Sequence, residues 1–308
     1  MDPDPTFEPE SLVVTMDTGD QLHYLDWGGA GALPPLLLIH GLASTAWSWA
    51  PIARRLRSVT RVLALDLRGH GLSESPRTGY DFESMAFDAL TVLSANGFGA
   101  DLDGPAAAVA GHGLGAAVAV TMANLRPASI AALALVEGGF EDFAEATGMT
   151  AADYQGSIGD PPEVMASMAA YLADRRDFDP ATWDADQVRA ARAAVDEKHA
   201  GHVASVVRAH ALRGSVEALF SYRPRVALAQ VAAPVLIAVA ESGAADDETT
   251  RERRIALDDV VRARAAAGLP PPDIRVYPGA GHNLMRYRPD ELSLAIQELL
   301  EGVTHQRS

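Results

Sequence analysis

The stretch that decides the fold is Gly111-His112-Gly113-Leu114-Gly115. An apolar run, Ala106-Ala107-Ala108-Val109-Ala110, leads into it, and a helix-like run from Leu114 to Leu125 leads out. The first reads as a buried strand and the second as the helix that follows it. Glycines between them allow a sharp turn in which the two backbones pack closely. The spacing G-x-G-x-G is not the G-x-G-x-x-G of a dinucleotide-binding turn. At the apex stands Gly113, which has no side chain.

Outward from this turn, strand-like and helix-like runs alternate. Residues 12–16 and 21–27 read as strands around the turn Asp17-Thr18-Gly19-Asp20. Residues 35–39, 61–67 and 130–136 are short apolar runs, with helical periodicity at 82–96 between the second and the strand before the glycine turn. Residues 235–240, a helical stretch through 267, residues 274–277 and a helix over 289–301 complete the series. Such alternation predicts a doubly wound, mostly parallel α/β sheet. Residues 140–229 break it: they are rich in Ala, Met, Asp and Arg and read as helices with no convincing strand. The expected organisation is a core over 1–139, a helical insertion over 140–229 and the rest of the core over 230–308.

Composition narrows the partners. The chain has 308 residues, enough to bury a large core, and a formal charge of −16. That charge argues against nucleic acid, whose phosphates need clustered Lys and Arg, and against anionic membrane surfaces. With no cysteine, disulfides, Cys–zinc sites and thiol nucleophiles are excluded. The start, Met1-Asp2-Pro3-Asp4-Pro5, is unlike a secretory leader, and a cytoplasmic location is expected. Lys198 is the only lysine beside many Arg and Ala residues, which suggests a GC-rich bacterial genome. No metal or cofactor is expected; His199 and His202 lie about one helical turn apart but lack a third ligand.

Four segments in order carry chemistry: Leu38-Ile39-His40-Gly41-Leu42, Asp66-Leu67-Arg68-Gly69-His70-Gly71-Leu72-Ser73, the glycine turn at 111–115, and Gly279-Ala280-Gly281-His282-Asn283. Together they resemble the α/β-hydrolase fold superfamily, in its capped esterase and lactonase-like branch. The resemblance covers most of the chain outside the 140–229 insertion. It implies that the glycine turn is a nucleophile elbow, G-x-S-x-G, with Gly113 where the nucleophile stands. It also implies that the N–H groups of Leu42 and Leu114 form an oxyanion hole and that His282 is the base. The Asp66–Ser73 loop is expected to be structural.

The acid that orients His282 has three candidates. Many relatives place it after the strand matching 235–240, where this chain reads Ala240-Glu241-Ser242-Gly243; Asp246 and Asp247 lie a few residues on. Other branches place it after the preceding strand, where Glu137 stands 24 positions beyond Gly113 (137 − 113). Glu137 is favoured, with Asp246 and Asp247 as alternatives. Trp47, Tyr154, Trp183 and Tyr222 are candidate substrate-binding residues.

The resemblance implies a hydrolase acting on an ester or lactone bond of an apolar small molecule, with the elbow Ser replaced by Gly113. G-H-S-L-G is a common esterase elbow that differs here at one residue. The alternative is a serine-less enzyme in which His282 activates water directly or serves lyase, cyclase or isomerase chemistry. A non-catalytic ligand-binding member is the third reading.

Overall fold

The computed structural model describes residues 7–99, 103–158, 167–199, 201–241 and 248–307. Its centre is an eight-stranded sheet of β1 (Glu10–Thr15), β2 (Gln21–Asp26), β3 (Leu36–Ile39), β4 (Val62–Leu65), β5 (Ala107–His112), β6 (Ile130–Val136), β9 (Val235–Glu241) and β10 (Asp273–Pro278). The spatial order is β1-β2-β4-β3-β5-β6-β9-β10. β1 and β2 join antiparallel, and β4 through β10 run parallel.

The helices joining parallel strands cover both faces, so successive strand residues enter different cores. Leu37, Ile39, Ala107 and Val109 join α2 (Phe82–Ala95), α3 (Leu114–Leu125) and α10 (Glu248–Ala266) on one face. Leu36, Leu38, Ala108 and Ala110 face α1 (Ala50–Leu56) and α12 (Pro289–Arg307), which follows the short α11 (Leu284–Tyr287). Asp81 starts α2 by accepting the Ser84 N–H at 2.8 Å, satisfying one of the first-turn donors. Helix α3 is built largely of Ala and Val, which lets it lie close on the sheet with Ala116, Ala117 and Ala119 buried.

Between β6 and β9 the chain contributes α4 (Phe143–Thr147), α5 (Ala151–Ile158), α6 (Met168–Phe178), α7 (Ala185–Ala193), α8 (Ala209–Ser221) and α9 (Pro224–Leu228). One expectation is corrected here. The segment also holds an antiparallel hairpin of β7 (Val195–His199) and β8 (His202–Ser205). His199 and His202 are therefore cross-strand partners beside its turn, not neighbours on a helix face. The hairpin forms because Val195, Val203 and Ala204 are buried, a tertiary gain that outweighs the charged run Asp196-Glu197-Lys198.

Candidate active site

β5 delivers the chain to Gly113, and α3 leaves from Leu114. Gly113 has φ 52° and ψ −114°, a region open chiefly to glycine. Its N–H donates to the Val136 carbonyl at 3.0 Å, which ties the apex to β6. A Cβ built on Gly138 would fall 2.6 Å from Gly113 Cα, so the backbone of 138 braces the turn directly. A Cβ on Gly113 itself would meet only Gly41 Cα at 3.8 Å and His282 Nε2 at 3.9 Å.

Leu114 opens α3, so its N–H belongs to the first turn, where no carbonyl four residues back is available and the helix dipole is positive. Leu42 approaches from the β3 side, and both leucines line the cavity beside Gly113. The turn after Leu42 is fixed by the Asp66–Ser73 loop. His70 Nε2 accepts the Ala43 N–H at 3.2 Å, and its Nδ1–H donates to the Arg68 carbonyl at 3.1 Å. Asp66 accepts from the Ala46 and Leu72 N–H groups at 2.7 and 3.0 Å and pairs with His23 Nδ1 at 2.8 Å. Burial pushes the His70 pKa down to about 3, so it serves this turn as a neutral ring.

His282 sits after β10, where Gly279 N–H donates to the Glu241 carbonyl at 2.7 Å and Ala280 is buried. The side chain of His282 is 67% exposed, and its Nδ1 lies 2.9 Å from Glu137 Oε2. Glu137 follows β6 with φ 54°, an uncommon conformation for a residue with a side chain. Its Oε1 accepts the Ala240 N–H at 2.6 Å. Burial alone would raise the Glu137 pKa, but the hydrogen bonds from His282, Arg253 and Ala240 hold it below the ordinary 4.5. An ionised Glu137 accepts the Nδ1–H of His282 and leaves Nε2 as the free lone pair, facing the apex. Behind it, His112 donates from Nε2 to the His282 carbonyl at 3.1 Å. Burial, with His282 beside it, pushes the His112 pKa to about 3.

These groups border a cavity of about 500 Å³. Tyr154 and Tyr222 lie in its wall with Phe143 and Leu219. Tyr222 donates to the Gly139 carbonyl at 3.0 Å and packs edge-on against Phe82, while Tyr154 packs against Phe143 and Phe220. Trp47 and Trp183 do not line this cavity. Trp47 packs edge-on against Trp27 with Arg189 over its face, and Trp183 lies beside Arg286. Trp47 lines a separate cavity with Asp66, Leu72 and Arg192. Asp246 and Asp247 lie outside the described residues.

Two wall residues had no sequence signal. Arg253 comes from α10, donates to both oxygens of Glu137 at 2.9 and 3.3 Å, and pairs with Glu141 at 3.4 Å. Glu141 is raised in pKa by burial, against the pull of Arg253. In the sequence Arg251-Glu252-Arg253-Arg254 nothing separates Arg253 from an ordinary solvated helix residue. Among the described residues no group of three His, Cys, Asp or Glu side chains stands ready to hold a metal ion, and no helix is long and apolar enough to cross a membrane.

A model of the alpha/beta hydrolase family matches residues 36–294. The 2-(acetamidomethylene)succinate hydrolase of Mesorhizobium japonicum is 31% identical over 161 residues, 52% of this chain and 54% of that protein. A dihydrolipoyllysine-residue acetyltransferase component of the acetoin cleaving system, from Pseudomonas putida, is 34% identical over 118 residues, 38% of this chain and 30% of that protein. The chain thus spans about half or less of the length of these curated relatives. Among solved structures, an E-2-(acetamidomethylene)succinate hydrolase superposes with a TM-score of 0.75 at 24% identity, covering 95% of this chain and 99% of that one. A thioesterase domain from a curacin biosynthetic pathway gives 0.69 at 21%, covering 94% and 99%. At these identities the structural matches establish the shared fold.

Proposed function

The chain belongs to the alpha/beta hydrolase family, and we propose that it is an ester- or lactone-cleaving member whose nucleophile position is held by Gly113. Residues 140–229 act as the cap over a core formed by 1–139 and 230–308. In this reading the substrate carbonyl oxygen points at the N–H groups of Leu42 and Leu114, and His282, oriented by Glu137, is the base. The observation that carries it is the single open direction at the elbow: a Cβ at Gly113 would point into free space 3.9 Å from His282 Nε2. A serine there would bring its Oγ within reach of that nitrogen. Its proton would pass to Nε2 while Oγ attacks the carbonyl carbon, and the N–H pair would take up the developing negative charge. With glycine in place, binding and charge stabilisation persist and the acyl-enzyme step does not occur.

The cavity wall supports an uncharged, largely apolar substrate. Its one cation among the described residues, Arg253, is engaged by Glu137 and Glu141. A substrate carboxylate would meet no unengaged cation among the described residues of this wall, so the succinate in one relative's name is not carried over to this chain.

A second reading is favoured by the same His282–Glu137 contact. In the space beside Gly113 a water molecule would give its proton to Nε2 as its oxygen attacks the carbonyl carbon. His282 would then return the proton to the leaving oxygen.

The deciding experiment compares the chain with Gly113→Ser on aryl esters and lactones, with fluorophosphonate labelling alongside. Turnover and labelling only in the Ser form support the first reading. Turnover in the Gly form that His282→Ala abolishes supports the second. Silence in both removes ester and lactone cleavage and leaves another reaction class or a binding role.

A further inference from the structure

We infer that Arg253 is a positioning residue: its guanidinium clamps the Glu137 carboxylate so that Oε2 faces His282 and fixes which ring nitrogen carries the proton. This rests on the reading of Glu137 and His282 as an acid–base pair.

The geometry is specific. Two guanidinium nitrogens of Arg253 reach the two oxygens of Glu137, at 2.9 Å to Oε1 and 3.3 Å to Oε2. One of them also donates to the Ala240 carbonyl at 3.2 Å, while the Ala240 N–H donates to Glu137 Oε1 at 2.6 Å. Arg253 and one peptide group of β9 therefore hold Glu137 from both sides. The planar fork cannot follow a rotated carboxylate, so it selects one χ3 orientation. Below, the guanidinium carbon lies 5.3 Å from the Phe140 ring centroid, which fixes the plane of the fork.

Such a clamp has work to do here. A backbone at φ 54° gives Glu137 an unusual starting direction, and its side chain is buried while His282 is largely exposed. Besides Glu137, the His112 ring, with its centroid 4.6 Å away, packs against the His282 ring but does not bond to either of its nitrogens. The remaining charged groups facing the fork are Glu141, 3.4 Å from Arg253 Nε, and His282 itself. Without Arg253, Glu137 and Glu141 would share a poorly hydrated corner with no cation between them. Two such carboxylates do not both stay ionised easily. A protonated Glu137 would gain an O–H able to donate to Nδ1 of His282, and the lone pair at Nε2 would no longer be assured. Arg253 thus secures both the direction and the charge of the group behind the base.

The test reads the ring directly. Long-range proton–nitrogen NMR on histidine-labelled protein reports the tautomer of His282, assigned by its loss in His282→Ala. The parent is expected to hold neutral His282 as the Nδ1–H tautomer with a low-field Nδ1 proton. Arg253→Met is expected to lose that proton signal and give a mixture of tautomers, as Glu137→Gln does. Arg253→Lys keeps the charge without the fork and should fall between them; it also serves if Arg253→Met does not fold. In the Gly113→Ser background, fluorophosphonate labelling is expected to drop on the order of 100-fold with Arg253→Met. An unchanged tautomer and low-field proton in folded Arg253→Met, or in folded Arg253→Lys where the Met form does not fold, overturn the inference. If Gly113→Ser never labels, the serine reading fails, and the tautomer measurement still decides the role of Arg253.

Discussion

The Cα of Gly113 aims its missing substituent at His282: a Cβ there would stand 3.9 Å from Nε2 and 3.8 Å from Gly41 Cα, with nothing nearer. Residues 169 positions apart in the chain (282 − 113) thus share one small open volume. The two meet because β5 and β10 end at the same edge of a parallel sheet, and parallel strands gather their following loops on one side.

Gly113→Ser should therefore gain labelling and ester turnover at a cost in stability. The φ of 52° is one that residues with side chains rarely adopt. A strained residue of this kind costs about 1–3 kcal/mol. Urea unfolding of the two forms reads that cost. A Ser form as stable as the parent would mean that the turn relaxes on substitution.

His282→Ala should reduce any base-dependent turnover by roughly 10²–10⁴-fold, both in the parent chain and in the Gly113→Ser background. Its side chain is mostly solvent-exposed, so the melting temperature should barely move. Steady-state kinetics paired with a thermal melt separates the two effects.

Glu137→Gln should lose stability as well as activity, because Arg253 keeps only Glu141 as an anionic partner. Breaking a buried pair costs about 3 kcal/mol. The sign with pH follows from a folded pKa held below the ordinary 4.5. In acid the unfolded chain takes up this proton first, so the contribution is present above pH 4.5 and is lost as pH falls through the folded value. Denaturation across that range should show the gap between parent and Glu137→Gln closing in acid.

His70 and His112 create a second, higher pH window. Each has a folded pKa near 3 against an ordinary 6.5. Their contribution is complete above pH 6.5 and is lost progressively as pH falls toward 3, because the unfolded rings protonate first. At about pH 5 each should cost roughly 2 kcal/mol. The double variant His70→Gln/His112→Gln should flatten the fall in melting temperature between pH 6.5 and about pH 5.

Within the cavity wall, Tyr154→Ala should weaken binding of apolar esters about tenfold, and Trp183→Ala should leave it unchanged. Fluorescence titration with a non-hydrolysed ester analogue on the Gly113 chain measures both. Equal effects would place Trp183 closer to the ligand than its contact with Arg286 indicates.

The elements with strong local pattern were legible in the sequence. β5, the glycine turn and α3 combine an apolar run, fixed glycines and a helix start within one short stretch, and β6 runs over 130–136 as its composition predicts. The spacing from Gly113 singled out Glu137, and that residue stands beside His282. What escaped depends on distant partners. The β7–β8 hairpin is stabilised by buried Val195 and Val203 and is masked locally by charged residues. Arg253 looks like any helix-surface arginine until α10 docks against β9. Trp47 is aromatic like a pocket wall, but the cavity it lines is a separate one, shared with Arg189.

The glycines around the apex are not alike. A Cβ at 41, 111, 115 or 138 would collide with neighbouring atoms, whereas one at 113 finds room. The fold therefore leaves space for a side chain at one member of this set, at the cost of a strained φ, and leaves none at the others. Glycine codons ending in a pyrimidine differ from serine codons by a single base. In genetic terms, gain or loss of a hydroxyl at 113 is one point mutation away, while every surrounding glycine is held by the shape of the molecule. On the ester- or lactone-cleaving reading proposed above, that one change exchanges covalent chemistry for binding, or the reverse.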